Sequence, residues 1–132
     1  MALGDSFGPI EYTGPTMAID SPLTIERLPG KAPRTVILRL TGPLTLTTAP
    51  PLRAQFRDFE PAPLTILDLS AVPYIDSAGM SEIIKHEVYC RDKRVRLAVA
   101  GANRRVLDML RITHLDKVLN LAATVQEAEA RA

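Results

Sequence analysis

The residues with the clearest chemical potential in this chain are Asp76 and Ser77, set in the run Leu67-Asp68-Leu69-Ser70-Ala71-Val72-Pro73-Tyr74-Ile75-Asp76-Ser77-Ala78-Gly79-Met80. An apolar strand ends there, a short loop follows, and the Asp-Ser pair stands where a helix opens. Functional groups of open α/β sheets collect at such carboxyl ends of strands. A hydroxyl in that place is exposed and close to the positive end of a helix, where free N–H groups and the dipole favour a phosphate. A phosphate of charge about −1.5 to −2 would also lie beside the carboxylate of Asp76, a like-charge cost. Modification of Ser77 should therefore disturb the fold little and change the surface a partner meets. A plainer reading stays open on residue types alone. Asp and Ser are the preferred residues for capping a helix, and Gly79 could serve close packing only.

Other candidate groups are sparse. His86 and His114 are too few and too isolated to suggest a metal site, and Cys90 reads as a thiol near a helix end. Gly42, Gly79 and Gly101 are too far apart to form a phosphate-cradling loop. A hydrolase built on Ser77 would need a base, and His86 would lie about 13 Å along the same helix. No catalysis, metal or cofactor is expected. Arg91, Lys93, Arg94 and Arg96 flank a helix-to-strand turn and read as a solvated edge. Arg104 and Arg105 come early in a helix, where its dipole gives cations no help, and so suggest a contact surface somewhat more.

The elements that must position Asp76 and Ser77 follow from periodicity. Leu23 to Leu28 and Thr35 to Leu40 read as two strands joined through Pro29-Gly30, hence an antiparallel hairpin. Thr48 is a candidate cap for a helix with Pro50 and Pro51 in its first turn and an apolar stripe of Leu52, Phe56 and Phe59. Pro61 and Pro63 end it. Leu64 to Leu69 is nearly continuous apolar sequence, as in a strand buried on both faces. Met80, Ile83, Ile84 and Val88 then share one face of a helix reaching about Cys90. Val95 to Ala100 is a further buried strand. A helix carrying Val106, Leu107 and Leu110 opens near Ala102 or Asn103 and ends near Thr113. Val118 to Leu121 is a candidate last strand, and Thr124 to Arg131 a capped helix. Strands alternating with short helices predict an α/β fold with right-handed crossovers: a mixed, mostly parallel sheet with helices mainly on one face.

The whole chain sets the bounds. Its 132 residues suit one domain, and a hydrophobic fraction of 46% can fill one core, largely with aliphatic side chains because tryptophan is absent. A net charge of +1 argues against a protein devoted to nucleic acid or anionic membranes. The single Cys90 can form no internal disulfide, and no apolar run approaches the roughly 20 residues that span a bilayer. Met1 to Pro15 lacks the charged-then-apolar order of a signal peptide. Glycines and prolines crowd the start of the chain, so residues 1–21 are expected to be a flexible tail and residues 22–132 the domain. A cytoplasmic setting is expected.

Taken in order, LTILDLSAVPYIDSAGM, VRLAVAGA and RRVLDMLRITHLDKVL resemble the STAS domain of bacterial anti-sigma factor antagonists. Upstream, RLTGPLTLTTAPPLRAQF is similar to the second strand and first helix of that family, so the resemblance covers about Leu23 to Glu127. It implies that Ser77 is the residue phosphorylated by an anti-sigma factor serine kinase. It further implies that the unmodified domain binds this kinase and releases a sigma factor. Asp76, Ser77, Ala78, Gly79, Met80 and Thr45 become the partner-binding residues. The chain departs from the family at two of them: Thr45 stands where an acidic residue is frequent, and Met80 where leucine is usual. No nucleic acid and no membrane insertion are implied, and weak homodimerisation is a secondary expectation. A rival expectation from the same family is a STAS subunit of a lipid-transport ATPase complex or a stress-signalling scaffold, because fold does not fix function.

Overall fold

Alternation along the strands decides which side of the sheet each helix covers, as seen in a computed structural model that describes residues 22–131. β1 (Thr24–Pro29) runs antiparallel to β2 (Thr35–Thr41), with Leu28 opposite Ile37. β2 is parallel to β3 (Leu64–Ala71), and β3 is parallel to β4 (Arg96–Ala100). β5 (Leu121–Ala122) adds a short parallel edge to β4, giving the order β1-β2-β3-β4-β5. The crossovers carry α1 (Pro50–Asp58), α2 (Ser77–Asp92) and α3 (Arg104–Ile112), and α4 (Val125–Ala130) closes the described chain. This is the mixed α/β sheet that the periodicity predicts. The expected N-terminal tail, residues 1–21, lies outside the described residues.

On one face Leu38, Leu40, Leu67, Leu69, Leu97 and Val99 meet Leu52 of α1, Ile83 of α2, and Val106 and Leu110 of α3. On the other, Ile37, Ile66, Ala98 and Ala100 meet Ala128 of α4. Three helices thus cover one face and a single short helix part of the other. β3 is central and apolar on both sides, which is why LTILDL shows no alternation. The start of α3, expected near Ala102 or Asn103, is capped by Asn103, and Thr124 caps α4. Asn103 Oδ1 accepts from Val106 N at 2.8 Å, and Thr124 Oγ1 from Glu127 N at 3.0 Å.

Four local expectations are corrected. Thr48 does not cap α1: the helix opens at Ala49 without a side-chain cap. The Thr48 hydroxyl instead turns back, donating to Pro43 O at 2.7 Å and accepting from Thr45 N at 2.8 Å. Phe59 falls beyond the end of α1 and is exposed, beneath the guanidinium of Arg27. The last strand begins at Leu121, because Leu115–Lys117 form a 3₁₀ turn after His114 takes a left-handed conformation. Val88 is exposed, and the inner face of α2 carries Gly79, Met80, Glu82, Ile83, His86 and Cys90. A hydrophobicity stripe passes over Glu82 and His86 because both are polar by type. Cys90 is likewise interior: burial, and next to it the charge of Glu87, pushes its thiol up to about 11, an inert state.

Glu82 and His86 belong to a buried polar joint between α1 and α2. Arg53 donates to Glu82 Oε1 through Nε at 3.2 Å and Nη2 at 2.9 Å. His86 stacks on Phe56 with ring centroids 3.9 Å apart. Its Nε2 lies 3.1 Å from Glu82 Oε2 without the alignment of a hydrogen bond. Burial lowers its pKa to about 4, despite the nearby Glu82 carboxylate. The ring is neutral in the native state, so this close contact is no salt bridge at neutral pH. In the unfolded chain it titrates near 6.5. Between these values the unfolded state binds the extra proton, so this contribution is complete above about pH 6.5 and is lost as pH falls toward 4. Urea unfolding at pH 7.5 and 4.5 should show about 2 kcal/mol or somewhat more of acid-linked loss from this group, absent in His86→Gln. An equal pH dependence in the variant would contradict the assignment.

Candidate functional site

Three backbone segments converge where β2 and β3 end. Gly42 N donates to Ala71 O at 3.0 Å, carrying the pairing of β2 and β3 one step beyond the strands. Gly42 holds φ +111°, a conformation that glycine adopts freely, and this turns the chain into the loop of residues 43–48. Leu44 N then donates to Tyr74 O at 3.2 Å and Asp76 N to Leu44 O at 3.3 Å, an isolated parallel bridge between Leu44 and Ile75. Under this bridge lies Gly79. A Cβ there would overlap Leu44 O and come within 2.9 Å of Leu44 C. Gly79 is therefore required by a crossing backbone as well as tolerated by a cap.

Asp76 and Ser77 divide the work that the sequence leaves ambiguous. Asp76 is the cap of α2: its Oδ1 accepts from Gly79 N at 2.8 Å. Its Oδ2 accepts from Leu46 N at 3.2 Å, so one carboxylate ties the helix start to the loop. Ser77 is the first helical residue and is exposed. Of the four N–H groups that a helix leaves open at its start, those of Asp76 and Gly79 are engaged in this way. The N–H groups of Ser77 and Ala78 belong to the same first turn, at the positive end of the 16-residue α2. No part of this cap uses the Ser77 hydroxyl.

The other residues singled out by the sequence lie at different depths. Ala78 is half-buried beside Ser77, whereas Gly79, Met80 and Thr45 lie beneath the surface. Met80 Sδ receives a contact of 3.7 Å from the hydroxyl of Thr113, which brings the end of α3 beside the first turn of α2. The 43–48 loop presents Leu46, 71% exposed, and its neighbour Thr47 to solvent. Neither the hydroxyl pattern TLTT nor apolar periodicity points to Leu46. Arg105 lies with its guanidinium 5.1 Å from the centre of the Tyr74 ring, just ahead of Asp76. Arg96 opens β4 and therefore stands at the opposite end of the parallel strands, together with Lys93 and Arg94. Among the described residues no three His, Cys, Asp or Glu side chains converge as metal ligands, and no helix is long and apolar enough to cross a membrane.

The sequence matches the STAS domain family over residues 29–128, most of the chain and all of the site. The chain belongs to the STAS domain family. Among solved structures, an anti-sigma factor antagonist from Mycobacterium paratuberculosis superposes with a TM-score of 0.70 at 23% identity, over 83% of this chain and 92% of that one. A sulfate transporter family protein from Wolinella succinogenes superposes with a TM-score of 0.70 at 21% identity, over 76% of this chain and 85% of that one. Both likenesses concern the fold. In sequence, solute carrier family 26 member 10 of Mus musculus is 37% identical over 76 residues, 55% of this chain but 11% of that protein. The chain thus spans about a tenth of the length of this relative.

The division of work within this STAS domain is testable by truncation. Ser77→Ala should change unfolding free energy by no more than about 0.5 kcal/mol, as at other surface positions. Asp76→Ala should cost about 1–2 kcal/mol through the lost cap. Equal losses in urea titrations would show that the hydroxyl shares the capping.

Proposed function

We propose that this STAS domain is an anti-sigma factor antagonist that binds an anti-sigma factor serine kinase and is controlled by phosphorylation of Ser77. The observation that carries this reading is the exposed Ser77 hydroxyl at the first position of α2, with capping carried by Asp76 alone. A hydroxyl without a duty in the cap can be modified without unfolding the element that displays it. In the transfer, the γ-phosphoryl of ATP held by the kinase leaves ADP and forms a bond to Ser77 Oγ. The hydroxyl proton passes to a base of the kinase. The domain contributes position only, and no catalysis or cofactor of its own. The unmodified domain holds the kinase and frees a sigma factor in the cytoplasm, and the dianionic form lets the kinase go.

A second reading has an observation in its favour. The sequence relative at 37% identity is a solute carrier, so a STAS segment working within a membrane transport assembly is the alternative. The two readings differ in what Ser77 does. In a pulldown from lysate of the source organism, wild type and Ser77→Ala should capture a serine kinase that Ser77→Asp loses, and mass spectrometry should find phosphate on Ser77. Capture of the same transport ATPase or carrier by all three proteins, with Ser77 never modified, would replace the switch by the transport reading.

A further inference from the structure

We infer that Asp76 is a positioning residue that relays the modification state of Ser77 to the exposed Leu46. The inference deepens the phosphoacceptor reading and rests on it for its biological setting. Its physical basis is the double engagement of one carboxylate. Oδ1 holds Gly79 N inside the first turn of α2, and Oδ2 holds Leu46 N in a separate loop. These two contacts differ in strength of support. Gly79 is buried under Leu44, and the local helix geometry keeps its N–H beside Asp76. The Leu46 contact is longer, 3.2 Å, and exposed, and Leu46 itself is mostly in solvent. It is the weaker of the two.

Phosphate on Ser77 would place a second anion next to this carboxylate, on the residue that follows it in the chain. Two effects then act in the same direction. Like charges drive the carboxylate and phosphate apart, and phosphate oxygens compete for nearby N–H donors. The cap contact is protected inside the helix turn, so the Leu46 contact yields first. The rest of the loop stays in place, because Thr48 Oγ1 clamps Pro43 O and Thr45 N, and Leu44 is bonded on both sides to Tyr74 and Asp76. The release is confined to Leu46, because the Thr47 hydroxyl remains paired with that of Thr45 at 3.2 Å. A charge added at Ser77 thereby alters an apolar contact residue on a different segment of the same surface.

The test uses the full chain with phosphoserine installed at position 77 during synthesis, so that no kinase is needed. Amide hydrogen exchange at Leu46 should be about tenfold faster, or more, than in the unmodified chain, as expected for loss of a charge-assisted hydrogen bond. Exchange at Thr45, whose N–H goes to the buried Thr48 hydroxyl, should not change. Asp76→Asn supplies the second arm. Asparagine still caps α2 through its carbonyl oxygen, but the amide nitrogen in place of Oδ2 cannot accept from Leu46. Leu46 should exchange fast in Asp76→Asn, and phosphate at Ser77 should add no further acceleration. An unchanged Leu46 rate in the phosphorylated chain would overturn the relay. So would a phosphate effect that persists in full in Asp76→Asn. A positive exchange result without any kinase capture would retain the relay and remove the partner reading.

Discussion

The close crossing of two backbones, Leu44 over Gly79, is the constraint on which the site depends. The carbonyl of Leu44 accepts from Asp76 N while resting where a side chain at position 79 would be. That contact fixes how far the loop after β2 can sit from the start of α2. The Asp76 carboxylate reaches both Gly79 N and Leu46 N only because this distance is fixed. The buried Thr48 hydroxyl then closes the loop upon itself, and the joint of Arg53, Glu82 and His86 holds α1 against α2 further down. Each of these interactions uses groups other than the Ser77 hydroxyl. Stability and the chemistry proposed for Ser77 are thereby assigned to different atoms of neighbouring residues.

Such a separation suits a domain whose family serves more than one kind of protein. The two structural neighbours, one an antagonist and one of the sulfate transporter family, fit the fold equally well at a TM-score of 0.70. The sheet and its helices therefore carry no preference between the two readings. At the site, the groups exposed beside the start of α2 are Ser77, Leu46 and Thr47, with the Arg105 guanidinium over Tyr74 nearby.

Much of this arrangement is legible in the sequence where one residue type has one common cause. The continuous run LTILDL signals a strand covered on both faces, and Thr124 signals a helix cap, because few alternatives explain them; the start of α3 is legible only to within Ala102 or Asn103. Position 48 shows where such signals fail. A threonine before two prolines is a sound cap by local rules, yet its hydroxyl is claimed by Pro43 O and Thr45 N within a buried turn. Glu82 and His86 are missed for a related reason. Polarity predicts exposure, and only the tertiary meeting with Arg53 and Phe56 makes their burial tolerable. At the site, the types Asp-Ser-Ala-Gly announce a helix start, but the role of Gly79 depends on Leu44, in a distant segment of the chain. No local pattern contains that information.

The most direct measurement of the central constraint is the stability of Gly79→Ala, read as a urea midpoint at constant slope. In an unobstructed helix, replacing glycine by alanine stabilises by up to about 1 kcal/mol. If the Leu44 carbonyl rests on Gly79, the sign reverses, and the added methyl should destabilise by about 1–3 kcal/mol. A variant as stable as wild type, or more stable, would mean that the two backbones do not cross so closely. The physical basis for how the 43–48 loop is set against the start of α2 would then fall with it.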